Sequence, residues 1–272
     1  MHILDRQPSL TCMCPGFELD VWREDALVRD VFDRHLISFA SSYSEFKQVD
    51  ADSAPEALRN AAKSIYQTDK YGKRGEYGEL FLHAILRDVF KSEPAVSKLY
   101  FKDGPNDTVK GFDAVHIVSI EDGIELWLGE VKYYKDVARA VADVTSELAL
   151  HLEPDYLRGE FIPVVRKVDP AWPYADQLNR LLDENTSLDE IFDAVTVPVL
   201  LTYDSDAVAK STRVCDAYVQ LLEQEAEAAW QKLSGKISAS WRVRLRLILM
   251  PLKDKESLTD RMHKKLVLWQ NI

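Results

Sequence analysis

Hydrophobic positions along the chain change spacing twice. In residues 22–40, WREDALVRDVFDRHLISFA, the residues Trp22, Leu27, Val31, Phe32, Leu36 and Phe39 recur at helical intervals, and a second helix is predicted near Ala54 to Gln67. The stretch KYGKRGEYGEL, with Gly72, Gly75 and Gly78, then leads into a predicted helix with an inner stripe of Tyr77, Leu80, Phe81, Ala84, Ile85 and Val89. The spacing then shortens to that of strands: SKLYF at 97–101, FDAVHIVSI at 112–120 and IELWLGEVKYY at 124–134. The turn sequences KDGPND and EDG separate them, which predicts an antiparallel meander. A helix follows, capped by Asp136, with Ala138, Val141, Ala142, Thr145 and Leu148 facing inward. Beyond it come a helix near 173–184, a strand TVPVLLTY at 196–203 and a long helix from about Thr212 to Leu233. A strand SWRVRLRLILM at 240–250 and a helix from about Leu258 close the chain. This order predicts an α/β fold, a mixed sheet flanked by helices, with an acidic, largely helical region over 1–70 and the sheet domain over 71–272.

The strand ELWLGEVKYYKD poses a chemical problem. Ile124, Leu126, Leu128, Glu130 and Lys132 share one face, while Trp127, Val131 and Tyr133 share the other. Both faces are apolar, as in a strand covered on both sides. An uncompensated ion there costs roughly several kcal/mol. A hard divalent cation resolves the conflict. In a meander, Asp113 of GFD lies beside Glu130, and two carboxylates with the backbone carbonyl of Val131 suit Mg²⁺ or Mn²⁺ that keeps water in its remaining positions. Lys132 is then placed to orient or deprotonate a nucleophile. Glu76, Glu79 and His83 share a helix face; Glu79 adjoins the core stripe and is the accessory carboxylate, while Glu76 suits the helix start. His83 and His116 read as hydrogen-bonded core histidines.

Composition narrows the field. A net charge of −11 on 272 residues argues against a general phosphate binder. The average conceals a segment, Lys232 to Ile272, with ten Lys and Arg against three acids. Within it Arg242, Arg244 and Arg246 alternate with apolar residues, a row suited to a phosphate backbone or an acidic partner, or else a charged edge strand. Cys12, Cys14 and Cys215 are too few and too poorly spaced for a disulfide framework or a four-ligand zinc site. There is no Walker phosphate loop, no membrane-length apolar run and no secretory signal in MHILDRQPSL, so the expectation is a cytoplasmic protein without a membrane partner.

An acidic helix, an Asp after a Gly turn and, 17 residues on, a Glu-x-Lys closing an apolar strand resemble the PD-(D/E)xK nuclease superfamily. The resemblance implies a restriction-endonuclease-like fold in which Asp113 and Glu130 hold the metal, Lys132 serves the attacking water and Glu79 assists. Phe112 stands where that superfamily usually has proline. Over roughly residues 70–250, GEYGELFLHAIL, KLYFKD, GFDAVHI and LWLGEVKYYKD are similar to the HamA family, nuclease subunits of the Hachiman antiphage defence system. This implies a Mg²⁺-dependent DNA endonuclease restrained by a helicase partner, HamB. The alternatives are a non-catalytic nuclease-fold scaffold that binds a helicase or nucleic acid, and an RNA-cleaving nuclease.

Overall fold

The computed structural model describes residues 2–4, 6–65, 75–97 and 111–272. The chain begins with strands β1 (His2–Leu4), β2 (Ser9–Cys12), β3 (Phe17–Glu18) and β4 (Val21–Trp22), followed by helices α1 (Glu24–Ala40), α2 (Tyr43–Lys47) and α3 (Ala54–Ile65). Helix α4 (Glu76–Phe90) precedes the meander β5 (Glu93–Ser97), β6 (Ala114–Ile120) and β7 (Gly123–Tyr133). Helices α5 (Val137–His151), α6 (Pro154–Lys167), α7 (Ala175–Leu181) and α8 (Leu188–Ala194) come next. The chain ends with β8 (Val195–Asp204), α9 (Asp206–Ala209), α10 (Asp216–Ser234), β9 (Arg244–Leu252) and α11 (Lys255–Gln270).

Seven of the described strands form one mixed sheet in the order β1-β2-β9-β8-β7-β6-β5. The meander is antiparallel, whereas β7, β8, β9 and β2 run parallel. Helices cover both faces, as the double-sided hydrophobicity of β7 and β8 requires. Leu126, Leu128, Val197 and Val199 pack with α5, α6, α7, α8 and α10 on one face. Trp127, Val131, Tyr133, Leu200 and Ile248 pack with α1, α3, α4 and α11 on the other. This is the restriction-endonuclease-like α/β arrangement that the sequence predicts.

Several details depart from the sequence reading. The first twelve residues supply β1 and β2, and β2 joins the sheet by pairing Leu10 with Leu247. A four-residue strand, SLTC, is too short to show a period, so the N-terminal region reads as helical. β9 lies inside the sheet, not at its edge. Gly159 and the internal Pro163 hide α6 from a propensity reading. α5 turns Ala140, Val141, Val144, Leu148 and His151 inward, a stripe rotated from the predicted one and ending on a polar residue that a hydrophobic period passes over. KDGPND and most of SKLYF lie outside the described residues.

The charge asymmetry resolves inside the molecule. The basic α11 lies against the acidic α1: Arg261 pairs with Glu24 and Asp25, and Lys265 Nζ is 2.9 Å from Asp33. Nearby, a buried polar chain ties α1 to α4 and β6. Ser38 Oγ donates to the His35 carbonyl at 3.0 Å, so His83 Nε2–H must donate to Ser38 Oγ, also 3.0 Å. His83 Nδ1 is then the acceptor from His116 Nε2–H at 3.3 Å, and His116 Nδ1 accepts from the Ser92 hydroxyl at 2.8 Å. Arg87 donates to the remaining Ser38 lone pair at 2.7 Å. Burial, reinforced by neighbouring cations, pushes His83 well below its usual range and His116 down to about 3, so both rings are neutral, as this chain of donors requires.

Helix α4 approaches β7 through Gly78. A Cβ at that position would sit 2.9 Å from Tyr133 Cβ and 3.0 Å from Val131 Cγ2. Alanine is the better helix former by about 1 kcal/mol, yet Gly78→Ala is expected to destabilise the protein by roughly 1–3 kcal/mol through overpacking. Urea denaturation checks this; a stabilised variant would contradict the close packing of α4 on β7.

Candidate active site

The antiparallel ladder between β6 and β7 ends at Ala114 opposite Gly129. One residue earlier the Asp113 N–H still donates to the Gly129 carbonyl at 2.8 Å. Among the described residues no strand faces the next N–H along β7, that of Val131, and the Asp113 carboxylate accepts it at 2.8 Å through Oδ2. A buried amide must find an acceptor, so this bond fixes the carboxylate beside β7. The Val131 carbonyl leaves the strand on the same edge as its N–H, toward Asp113.

Side chains alternate from that point. Glu130 and Lys132 continue the face of Leu126 and Leu128, toward α5. Asp113, Glu130 and Lys132 are all buried, with Glu130 only 1% exposed. Glu130 Oε1 accepts a hydrogen bond from His151 Nδ1, the last residue of α5, at 2.6 Å. One helical turn earlier, Glu147 pairs with the Lys132 ammonium. Glu147 is half-exposed and forms the solvent side of the cluster. Gly111 starts the approach to Asp113 at φ +109°, and a Cβ there would lie 1.9 Å from Glu160 Oε2. Glycine in GFD is therefore favoured by its backbone angle, and the Glu160 side chain of α6 fills the space beside it.

Burial, and then the Asp113 charge, push the Glu130 carboxyl up to about 7, against the opposing pull of His151 and Lys132. His151 is also raised: burial acts against its charge, but the bond and charge of Glu130, aided by Glu147 and Glu160, outweigh it. Both shifts have one meaning. The Glu130–His151 pair holds a proton more tightly than the isolated groups would. Lys132 is raised as well, its desolvation overcome by Glu147, Asp113 and Glu130. Burial and the neighbouring Asp113 charge thus disfavour ionised Glu130, and two adjacent buried carboxylates are a donor set that suits a hard cation.

A family model for HamA matches residues 2–266. The chain belongs to the HamA family. That membership gives it, at family level, a nuclease-type role in Hachiman antiphage defence. Comparison with curated proteins returns no match.

In this HamA-family chain the structure brings together Asp113, Glu130, Lys132 and the Val131 backbone. Glu79 is also buried but lies in the first turn of α4, over the opposite face of β7. Among the described residues, only Asp30, His35 and Asp88 offer three acidic or imidazole ligand atoms within 4.8 Å of one another, so Glu79 does not complete such a trio with Asp113 and Glu130. Arg34 already neutralises that other group, 2.8 Å from Asp30 and 3.2 Å from Asp88. The arginine row is not free. Arg242 pairs with Asp189, Arg244 with Glu125 at 3.1 Å, and the Arg246 guanidinium lies 5.4 Å from the Trp127 ring centroid. Arg244 and Arg246 sit near the start of the parallel strands, on the face opposite Glu130. A cavity of about 720 Å³ between β2 and α10, lined by Leu10, Cys12, Tyr218 and Leu222, lies at the far side of the sheet. The chemistry favours the Asp113 site, where buried like charges are concentrated.

His151, Glu147 and Glu160 escaped the sequence reading. The i, i+4 spacing of Glu147 and His151 was visible in SELALHLEPDY, but nothing in it says that this face meets β7. The raised carboxyl has a consequence for stability. Because Glu130 goes up from 4.5 in the unfolded chain to about 7, its contribution is fully present below about 4.5 and is lost as pH rises through 7. Without divalent cation, Glu130→Gln is expected to gain stability relative to wild type by on the order of 2 kcal/mol between pH 5 and pH 8. Thermal melts of both proteins at the two pH values measure this, and a pH-independent difference would contradict the buried-charge assignment.

Proposed function

We propose that this chain is a divalent-cation-dependent nuclease that hydrolyses phosphodiester bonds in DNA, acting with a helicase partner of the HamB kind. The observation that carries the reading is the buried side-by-side pair Asp113 and Glu130, with Lys132 on the same strand face as Glu130. Asp113, Glu130 and the Val131 carbonyl are the ligands for Mg²⁺ or Mn²⁺, and the accessory role of Glu79 rests on its burial at the start of α4. When bound, the cation supplies a lowered pKa for water and stabilises charge developing on a phosphoryl oxygen. Asp113 is held for this work by the Val131 N–H, and Glu130 by His151. Lys132 is held by Glu147 and stays protonated. Its ammonium orients the attacking water or meets a phosphoryl oxygen once substrate displaces the Glu147 carboxylate.

No described helix is long and apolar enough to cross a membrane. The intramolecular pairing of Arg242, Arg244 and the α11 cations removes much of the basic surface a free DNA binder would present, so delivery to DNA by a partner fits the charge distribution. Purified protein incubated with plasmid, linear duplex and single-stranded RNA in Mg²⁺ or Mn²⁺ tests the reading. Cleavage of DNA that chelator abolishes is expected. Asp113→Ala, Glu130→Ala and Lys132→Ala are each expected to lower the rate by about 100-fold or more while remaining folded. Undiminished cleavage in those variants would overturn the catalytic assignment, and preference for RNA would overturn the substrate.

A further inference from the structure

We infer that His151 is a positioning residue for Glu130, and that the end of α5 is a working part of the site. This rests on the nuclease reading above. A glutamate side chain at the end of a strand has three torsions to fix before it presents an oxygen to a cation. His151 Nδ1 takes Oε1 at 2.6 Å, which leaves the other oxygen as the ligand. The imidazole is itself held on two sides. The Tyr156 ring stacks on it at 4.7 Å between centroids with 15° between planes, and the Phe112 edge meets it at 5.2 Å and 65°. Phe112 immediately precedes Asp113, so one wedge of rings sets the placement of both carboxylates. The position at the last residue of α5 adds the negative end of the helix dipole, which favours an N–H donor there.

A histidine that only fills space would affect folding and nothing else. A positioning residue sets how tightly the cation is held, since partners behind a metal ligand typically change affinity 10–100-fold. The experiment compares wild type, His151→Leu, His151→Asn and Lys132→Ala by calorimetric titration with Mn²⁺, and by DNA cleavage across Mn²⁺ concentrations. His151→Leu should weaken Mn²⁺ binding by about 10–100-fold and raise the concentration for half-maximal cleavage by the same factor. His151→Asn, whose amide N–H reaches the Nδ1 position, should recover most of the loss. Lys132→Ala should bind Mn²⁺ at least as tightly as wild type and fail to cleave. If His151→Leu does not fold, Tyr156→Leu frees the ring without touching Glu130 and should shift binding in the same direction. Wild-type Mn²⁺ affinity in a folded His151→Leu protein, or in Tyr156→Leu where that protein stands in for it, overturns the inference. An Asn variant no better than Leu overturns it too. Either outcome leaves the nuclease reading intact if Lys132→Ala is inactive. A wild-type protein that neither binds Mn²⁺ nor cleaves overturns both.

Discussion

The Val131 N–H, which meets a side chain and no described strand where β6 parts from β7, organises the site. An unsatisfied amide in a buried strand costs on the order of 1–3 kcal/mol, and the Asp113 carboxylate removes that cost by accepting the bond. The same contact brings a second negative charge beside Glu130, whose burial already disfavours ionisation. The backbone is satisfied and the electrostatics are made worse. Compensating positive charge comes from within through His151 and Lys132, and a bound cation of the kind proposed would add to it.

The surrounding architecture serves to hold those few atoms. Gly78 lets α4 press against the back of β7, and the Ser38–His83–His116–Ser92 chain fastens α4 to α1 and β6 with every described donor directed to an acceptor. On the front, α5 meets Glu130 and Lys132 with residues one turn apart. The acidic N-terminal helices and the basic closing helix neutralise each other across their interface, so the charge asymmetry of the chain is a folding contact before it is a recognition surface.

Much of this was legible in the chain. The apolar run ending in Glu130 and Lys132 announced an interior strand with charge to compensate, and the turn chemistry of EDG placed Asp113 beside it. Gly111 could be read only as the turn before Asp113 and Phe112 only as a departure from the superfamily pattern, although the first is demanded by its positive φ and the second supports His151. The role of α5 was not legible, because helical periodicity marks a face without saying what it faces, and a buried histidine scores as polar. For the same reason Arg242, Arg244 and Arg246 read as an open row: alternation put them on one face but did not reveal Asp189, Glu125 and Trp127 opposite them. The short strand β2 near the N-terminus pairs with residues of β9 more than 200 positions away, and local pattern carries no trace of such a partner.

Anomalous diffraction from crystals of the chain grown with Mn²⁺ addresses the shared-cation arrangement most directly. The expected result is one strong peak about 2.1 Å from an oxygen of each of Asp113 and Glu130, with His151 still donating to Glu130. A peak at Asp30, His35 and Asp88 instead, or a wild-type site that stays empty at millimolar Mn²⁺ above pH 7, would contradict it.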